Sequence, residues 1–185
     1  SIRQSRFENI KHDNSTIFVL EKFNMEASFI EILENKFIQV AALGDSVVSL
    51  FDIAGFRSLK IDQNLFENFS GNMRQISLQP IGENRELWVT SNIVRKVDGR
   101  FFLSYSGKKI DKIEFRNNSF STLVCLTGCI AIESEYVSQD WVFSNNQFRD
   151  GKIKNSLELF PQDAGYISLK ILKASPPSLK LTYEN

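Results

Sequence analysis

Among its 185 residues the chain has one histidine, two cysteines, two methionines, two tryptophans and four prolines. Each scarcity excludes something. One histidine and two cysteines cannot complete a tetrahedral zinc site without carboxylates, and no ligand spacing points to a metal. No Gly-rich loop of the Walker or dinucleotide type is present, so no phosphate or nucleotide cofactor is expected. No apolar run approaches the roughly 18 residues of a membrane span. Lys plus Arg is 22 and Asp plus Glu is 22, so the formal net charge is zero. A protein that wraps a polyanion carries a clear basic excess, which this one does not. The opening residues, Ser1 to Arg6, hold no apolar core of a secretory leader. Two cysteines make no disulfide framework, so a reducing, intracellular compartment (cytoplasmic or nuclear) is the expectation.

What is present is an ordinary globular balance of 42% hydrophobic and 24% charged residues. A chain of this length buries a sizeable core without staples. Two excesses stand out: Phe supplies 16 of the aromatic residues, and Asn occurs 15 times. The phenylalanines imply a large aromatic core or a covered apolar surface. The asparagines suit tight turns, because Asn tolerates the left-handed region and bonds its own backbone.

Residues 1–16 are polar and read as an arm or leading edge strand, with one β-rich domain over 17–185. In 24–37, Ser28 and Glu31 have capping-box spacing, and Phe29, Ile32, Leu33 and Phe37 share a helical face, which predicts a short helix. The same residues also pass as a strand with Ile30 and Ile32 on one side. Further on, turn signals punctuate short apolar runs: Gly44-Asp45, Gly82-Glu83-Asn84, Asp98-Gly99, Ser106-Gly107-Lys108 and Asn117-Asn118. Asp98-Gly99, between Ile93–Val97 and Arg100–Leu103, has the composition of a type I′ hairpin. Residues 62–72 read as a loop or helical turn and a candidate waist. The spacing of about ten residues predicts an all-β antiparallel barrel or sandwich built largely of hairpins, with at most one or two short helices. No internal repeat is read from it.

Catalysis finds no support. Gly44-Asp45-Ser46 resembles the nucleophile block of the GDS-type hydrolases. A serine hydroxyl needs a base, however, and the lone His12 lies in the arm without an Asp-x-x-His context. Glu133 and Glu135 share one strand face, read as a solvated acidic stripe rather than a tuned pair. Cys125 and Cys129 are read as free thiols. Across a two-residue turn at Thr127-Gly128 they would face opposite ways, and along a straight strand they would lie about 13 Å apart. Three glycosylation sequons begin at Asn14, Asn68 and Asn117; a chain this rich in Asn carries about two by chance, so they barely favour secretion and do not exclude it.

The leading expectation is a non-enzymatic interaction or assembly domain, a scaffold or subunit with a protein partner or a second copy of itself. Its candidate contacts are Trp88 and Trp141, with Phe66 and Phe69 in an exposed loop. The alternative is a single-stranded nucleic-acid binder using Arg95, Lys96, Arg100, Lys108, Lys109, Lys112 and Arg116 with Phe101, Phe102 and Tyr105 as a stacking platform. A third is a small barrel holding an apolar ligand among its phenylalanines.

Overall fold

A computed structural model describes residues 1–13, 16–21, 29–43, 47–54, 56–79, 86–99, 101–125, 129–150, 152–153, 167–171 and 182–184. Every regular element among them is a strand, so the all-β expectation holds. The strands are parallel throughout, however, and form a β-solenoid rather than a barrel or sandwich of hairpins.

Each turn runs through three straight segments. The first turn is β1 (Ile2–Arg3), β2 (Arg6–His12) and β3 (Thr16–Glu21), and the second is β4 (Phe29–Leu33), β5 (Lys36–Ala42) and β6 (Val48–Ala54). The third is β7 (Ser58–Asp62), β8 (Leu65–Ser70) and β9 (Met73–Leu78). The fourth comprises β10 (Glu86–Thr90), β11 (Ile93–Gly99) and the start of β12 (Phe101–Arg116). The fifth runs from the end of β12 through β13 (Ser119–Cys125) into β14 (Ile130–Ser144). The sixth follows with β15 (Gln147–Arg149), β16 (Lys152–Ile153) and β17 (Ile167–Ile171), and β18 (Thr182–Glu184) pairs with the end of β14. The middle segments stack into a seven-stranded sheet, and the outer two share an eleven-stranded sheet. Stacking places Phe7 on Phe37, Phe37 on Phe66, and Phe120 on Phe148 in register.

Two columns of left-handed residues set this cross-section. Gln4, Glu34, Gln63, Ser91, Asn117 and Asn145 have φ between 48° and 57° and turn the chain from the first segment into the second. Five residues later, Asn9, Gln39, Asn68, Lys96, Thr122 and Asp150 do the same within the middle segment. A left-handed residue between two extended ones rotates the strand, so the inward positions there are three apart rather than two. Phe37 and Val40, Phe66 and Phe69, Val94 and Val97, and Phe120 and Leu123 are all buried on that spacing. The third corner of one turn uses Gly71 at φ 87°, where an added Cβ would lie 2.4 Å from the Ala42 carbonyl oxygen.

Next to the first left-handed column stands a ladder of buried amides. The backbone N–H and Nδ2 of Asn35 both donate to Oδ1 of Asn64, which does the same to Asn92, Asn92 to Asn118, and Asn118 to Asn146. Each Nδ2 also donates back to a carbonyl of the preceding turn: Ile32 for Asn64, Ile61 for Asn92, Val89 for Asn118 and Phe115 for Asn146. Corner N–H groups lose their ladder partners, and the asparagines supply them. At the N-terminal end Ser5 takes the ladder position, donating its N–H to Asn35 Oδ1 and its hydroxyl to the Arg3 carbonyl.

Two residues further on runs an aromatic column. Phe37 stacks between Phe7 and Phe66 at 5.1 Å each, close to the 4.7–4.9 Å strand spacing. Val94 interrupts the column in the fourth turn. There Phe102 presents its ring edge-on to Phe66 and Phe120, at 5.2 and 5.4 Å, and occupies the space a sixth stacked ring would take. Such pairs contribute roughly 0.5–1.5 kcal/mol each beyond the area they bury. Among the described residues the phenylalanines therefore mostly form a core, Phe29 being exposed, and the Asn excess is in part the ladder beside it.

Several sequence expectations are corrected here. Phe29–Leu33 is strand β4 with Ile30 and Ile32 inward, so the helix is replaced by the alternative strand. Asp98 and Gly99 lie inside β11, and β11 pairs with β8 and β13 rather than with β12, so no hairpin forms. Gly107 lies within β12 and pairs with Ser134, so Ser106-Gly107-Lys108 is no turn. Asn117-Asn118 is a corner between sheets. Strands β5 and β6, flanking Gly44-Asp45, belong to different sheets; the dipeptide itself and Gly82-Glu83-Asn84 lie outside the described residues. Residues 2–12 supply β1 and β2 at the edges of the two sheets, the alternative given for the leading segment, and strand β8 takes the place of the loop or helical turn expected over 62–72.

Candidate interaction surface

Strand alternation in the first segments turns one residue in two outward. On β10, Leu87 and Val89 are buried while Glu86, Trp88 and Thr90 are half-buried on the outer face. This is the orientation the sequence implies for Trp88. In register, Trp88 lies between Lys60 of β7 and Glu114 of β12. The Lys112 ammonium sits 5.3 Å from the centre of its ring, a cation–π distance. Lys112 also pairs with Glu114 at 2.9 Å. That hydrogen bond, with the nearby charges of Lys112 and Arg116 and a bond from Trp88, holds the Glu114 carboxyl below its ordinary value. On the same face Lys60 pairs with Asp62, and the Thr90 hydroxyl donates to Asp62 at 2.6 Å. The result is a charge-paired face with Trp88 at its middle and the exposed ring of Phe29 on β4 towards its edge.

The other contact candidates are interior. Phe66 and Phe69 are buried, the first in the aromatic column. Trp141 is buried at the position held by Ile113 one turn earlier, and its indole N–H donates to the Ile110 carbonyl at 3.0 Å. Their surface placement is corrected for a physical reason. Phe66 and Phe69 sit on either side of left-handed Asn68, which brings both inward.

The basic cluster divides between two sheets. Arg95 and Lys96 lie on the outer face of β11, where Glu67 takes both, at 2.8 and 3.7 Å. The Arg95 hydrogen bond chiefly, with the Arg95 and Lys96 charges, holds the Glu67 carboxyl below its usual value. Lys112 and Arg116 belong to β12, in the other sheet, with Glu114. Tyr105 and Phe102 are buried, so neither ring is open for base stacking. Arg100 lies outside the described residues, as do the side chains of Phe101, Lys108 and Lys109.

One feature the sequence reading missed is a shallow groove of 490 Å³ along the ladder corner, across three turns. It is lined by the left-handed corner residues Glu34, Gln63 and Ser91, by Lys36, Leu65 and Ile93, which stack in register, and by Arg95. Ile93 is 48% exposed. Only the 26–30-residue recurrence of the Asn-x-Phe motif would have revealed this corner in the sequence.

Cys125 and Cys129 form a buried disulfide with Cα atoms 5.4 Å apart. The free-thiol reading is corrected: Cys129 precedes β14, which belongs to the other sheet, rather than continuing β13, so the straight-strand separation does not apply. Among the described residues, no three His, Cys, Asp or Glu groups are placed to hold a metal, and no helix is long and apolar enough to cross a membrane. No known protein family, curated protein or solved structure matches this chain.

Proposed function

We propose that the chain is a non-enzymatic binding domain that seats a protein partner on the outer face centred on Trp88, with the contact continuing round the corner into the groove at Ile93. One observation carries this reading. A large aromatic is half-exposed in the middle of a face where Lys60, Asp62, Glu86, Thr90, Lys112 and Glu114 surround it, with the apolar side chains of Phe29, Leu33 and Val142 further out. Aromatic anchors ringed by polar groups are the usual energetic centres of protein interfaces. Trp88 and Ile93 belong to the same turn, five residues apart, so one partner can span both. The stacked turns beneath keep the face pre-organised, which limits the entropy lost on binding.

The intracellular expectation rested on two cysteines making no disulfide framework. With Cys125 and Cys129 bonded, that premise is gone, and we place the protein in an oxidising compartment instead.

The test is affinity capture of partners from the protein's own cells, comparing wild type with Trp88→Ala and Ile93→Ser. Both side chains point outward, so the variants should keep the wild-type melting temperature and lose the captured partner. Equal recovery by wild type and both variants would remove the reading.

A further inference from the structure

The first left-handed column ends in two asparagines, one of which opens a sequon: Asn117-Asn118-Ser119. The three residues have divided roles. Asn118 is buried in the ladder and its carboxamide is fully engaged. Ser119 opens β13 and pairs in register with Ile93 and Gln147. Asn117 is exposed at the outer corner, held only by its backbone N–H to the Ser144 carbonyl at 3.1 Å. Among the described residues its carboxamide makes no hydrogen bond. The column it belongs to, Gln4, Glu34, Gln63, Ser91, Asn117 and Asn145, is solvent-exposed along its length, so a bulky group there displaces no packing. The sequon at Asn68 differs: Asn68 is half-buried in the middle segment and its central residue, Phe69, is core. Asn14 lies outside the described residues.

A second observation points the same way. The Cys125–Cys129 disulfide is buried beside Phe102 and Ile130, and such bonds form and persist in oxidising compartments such as a secretory lumen. That lumen is where sequons meet the oligosaccharide-transfer machinery in cells that have it.

We infer that Asn117 is a site of N-linked glycosylation. The donor is an oligosaccharide carried on a polyprenyl diphosphate. The Asn117 amide nitrogen forms a bond to the anomeric carbon of the sugar and gives up one proton. The bond from that carbon to the diphosphate oxygen breaks, and the lipid diphosphate leaves with the electron pair. Nothing is oxidised or reduced. The glycan then stands on the corner one turn beyond Ser91, next to the groove, and shields that edge of the solenoid.

Peptide mapping of the protein isolated from its own cells under thiol-blocking conditions tests this. Glycosidase treatment should convert Asn117 to aspartate in the mapped peptide, and Cys125 and Cys129 should appear as one cross-linked species. In a secreting eukaryotic host, wild type should lose mass on glycosidase treatment, whereas Asn117→Gln and Ser119→Ala should not. Gln already occupies this corner at Gln4 and Gln63, so the first variant folds, and the second leaves Asn117 untouched. An unmodified Asn117 in the native protein, or a glycan on Asn68 alone, would overturn the inference. None of these outcomes bears on the Trp88 contact.

Discussion

Replacing Asn92 by alanine probes the device that closes the turns. Oδ1 of Asn92 accepts from the Asn64 backbone N–H and from Asn64 Nδ2, both at 3.0 Å. Its own Nδ2 donates to the Ile61 carbonyl at 2.9 Å and to Asn118 Oδ1 at 3.0 Å. Removing the carboxamide leaves two buried groups without these partners, the Asn64 N–H and the Ile61 carbonyl. Asn118 Oδ1 keeps the Asn92 backbone N–H, and Asn64 Nδ2 keeps the carbonyls of Ile32 and Asp62. Two orphaned groups at about 1–3 kcal/mol each make a loss of roughly 2–6 kcal/mol. That is a large share of the ~5–15 kcal/mol by which proteins are stable, and lowers Tm by on the order of 10 °C. Urea unfolding followed by circular dichroism measures it. The Asn92→Asp variant adds a second signature. Its carboxylate accepts but cannot donate to Ile61, and burial raises its folded pKa above the ordinary ~3.9. The variant is then most stable below that value and loses stability as pH rises towards the raised pKa. A loss within about 0.5 kcal/mol for Asn92→Ala, typical of an exposed site, would refute the ladder's role.

Gln75 is fully buried and, among the described residues, neither of its amide atoms has a partner, in a column otherwise held by Leu50, Phe102 and Cys129. Gln75→Leu should therefore raise stability, by about 1–3 kcal/mol in urea unfolding, and a destabilised variant would show that the amide is engaged after all. Glu67 and Glu114 have depressed pKa values, through Arg95 and Lys112 respectively. The stability they contribute is present above the unfolded carboxylate value of about 4.3 and is lost as pH falls through their folded values. The Glu67→Gln, Glu114→Gln double variant should show a flatter acid limb in urea midpoint against pH, and an unchanged limb would assign the loss to other groups.

How much of this was legible in the sequence depends on how local the determinant is. The period-two alternation around Leu87-Trp88-Val89 is local, and it placed Trp88 outward correctly. Ile30 and Ile32 offered the right strand beside a capping-box signal that tertiary stacking overrode. Asp98-Gly99 misled because turn composition is a local signal. The partner of Val97 is Leu123, 26 residues away, and no short-range pattern says so. Phe66 and Phe69 were misplaced because a left-handed residue between them changes the inward spacing from two to three, in a position where Asn, Gln, Lys, Thr and Asp all serve. The ladder itself was readable as Asn35-Lys36-Phe37, Asn64-Leu65-Phe66, Asn118-Ser119-Phe120 and Asn146-Gln147-Phe148. Ser5-Arg6-Phe7 and Asn92-Ile93-Val94 blur the motif at two of its six occurrences. The uneven intervals, lengthened or shortened at the corners, hide its period. The pairing of Cys125 with Cys129 follows from β13 and β14 belonging to different sheets, which spacing alone does not reveal.

Parallel pairing in register separates the solenoid from a hairpin barrel most directly, and backbone nuclear Overhauser contacts across β8, β11 and β13 measure it. The solenoid predicts contacts from Arg95 to Glu67 and to Ser121, 28 and 26 residues away, with none across Asp98-Gly99 between Val97 and Phe101 or Phe102. Ladder contacts joining residues 93–97 to 101–105 in antiparallel order, without those to Glu67 and Ser121, would contradict the parallel fold.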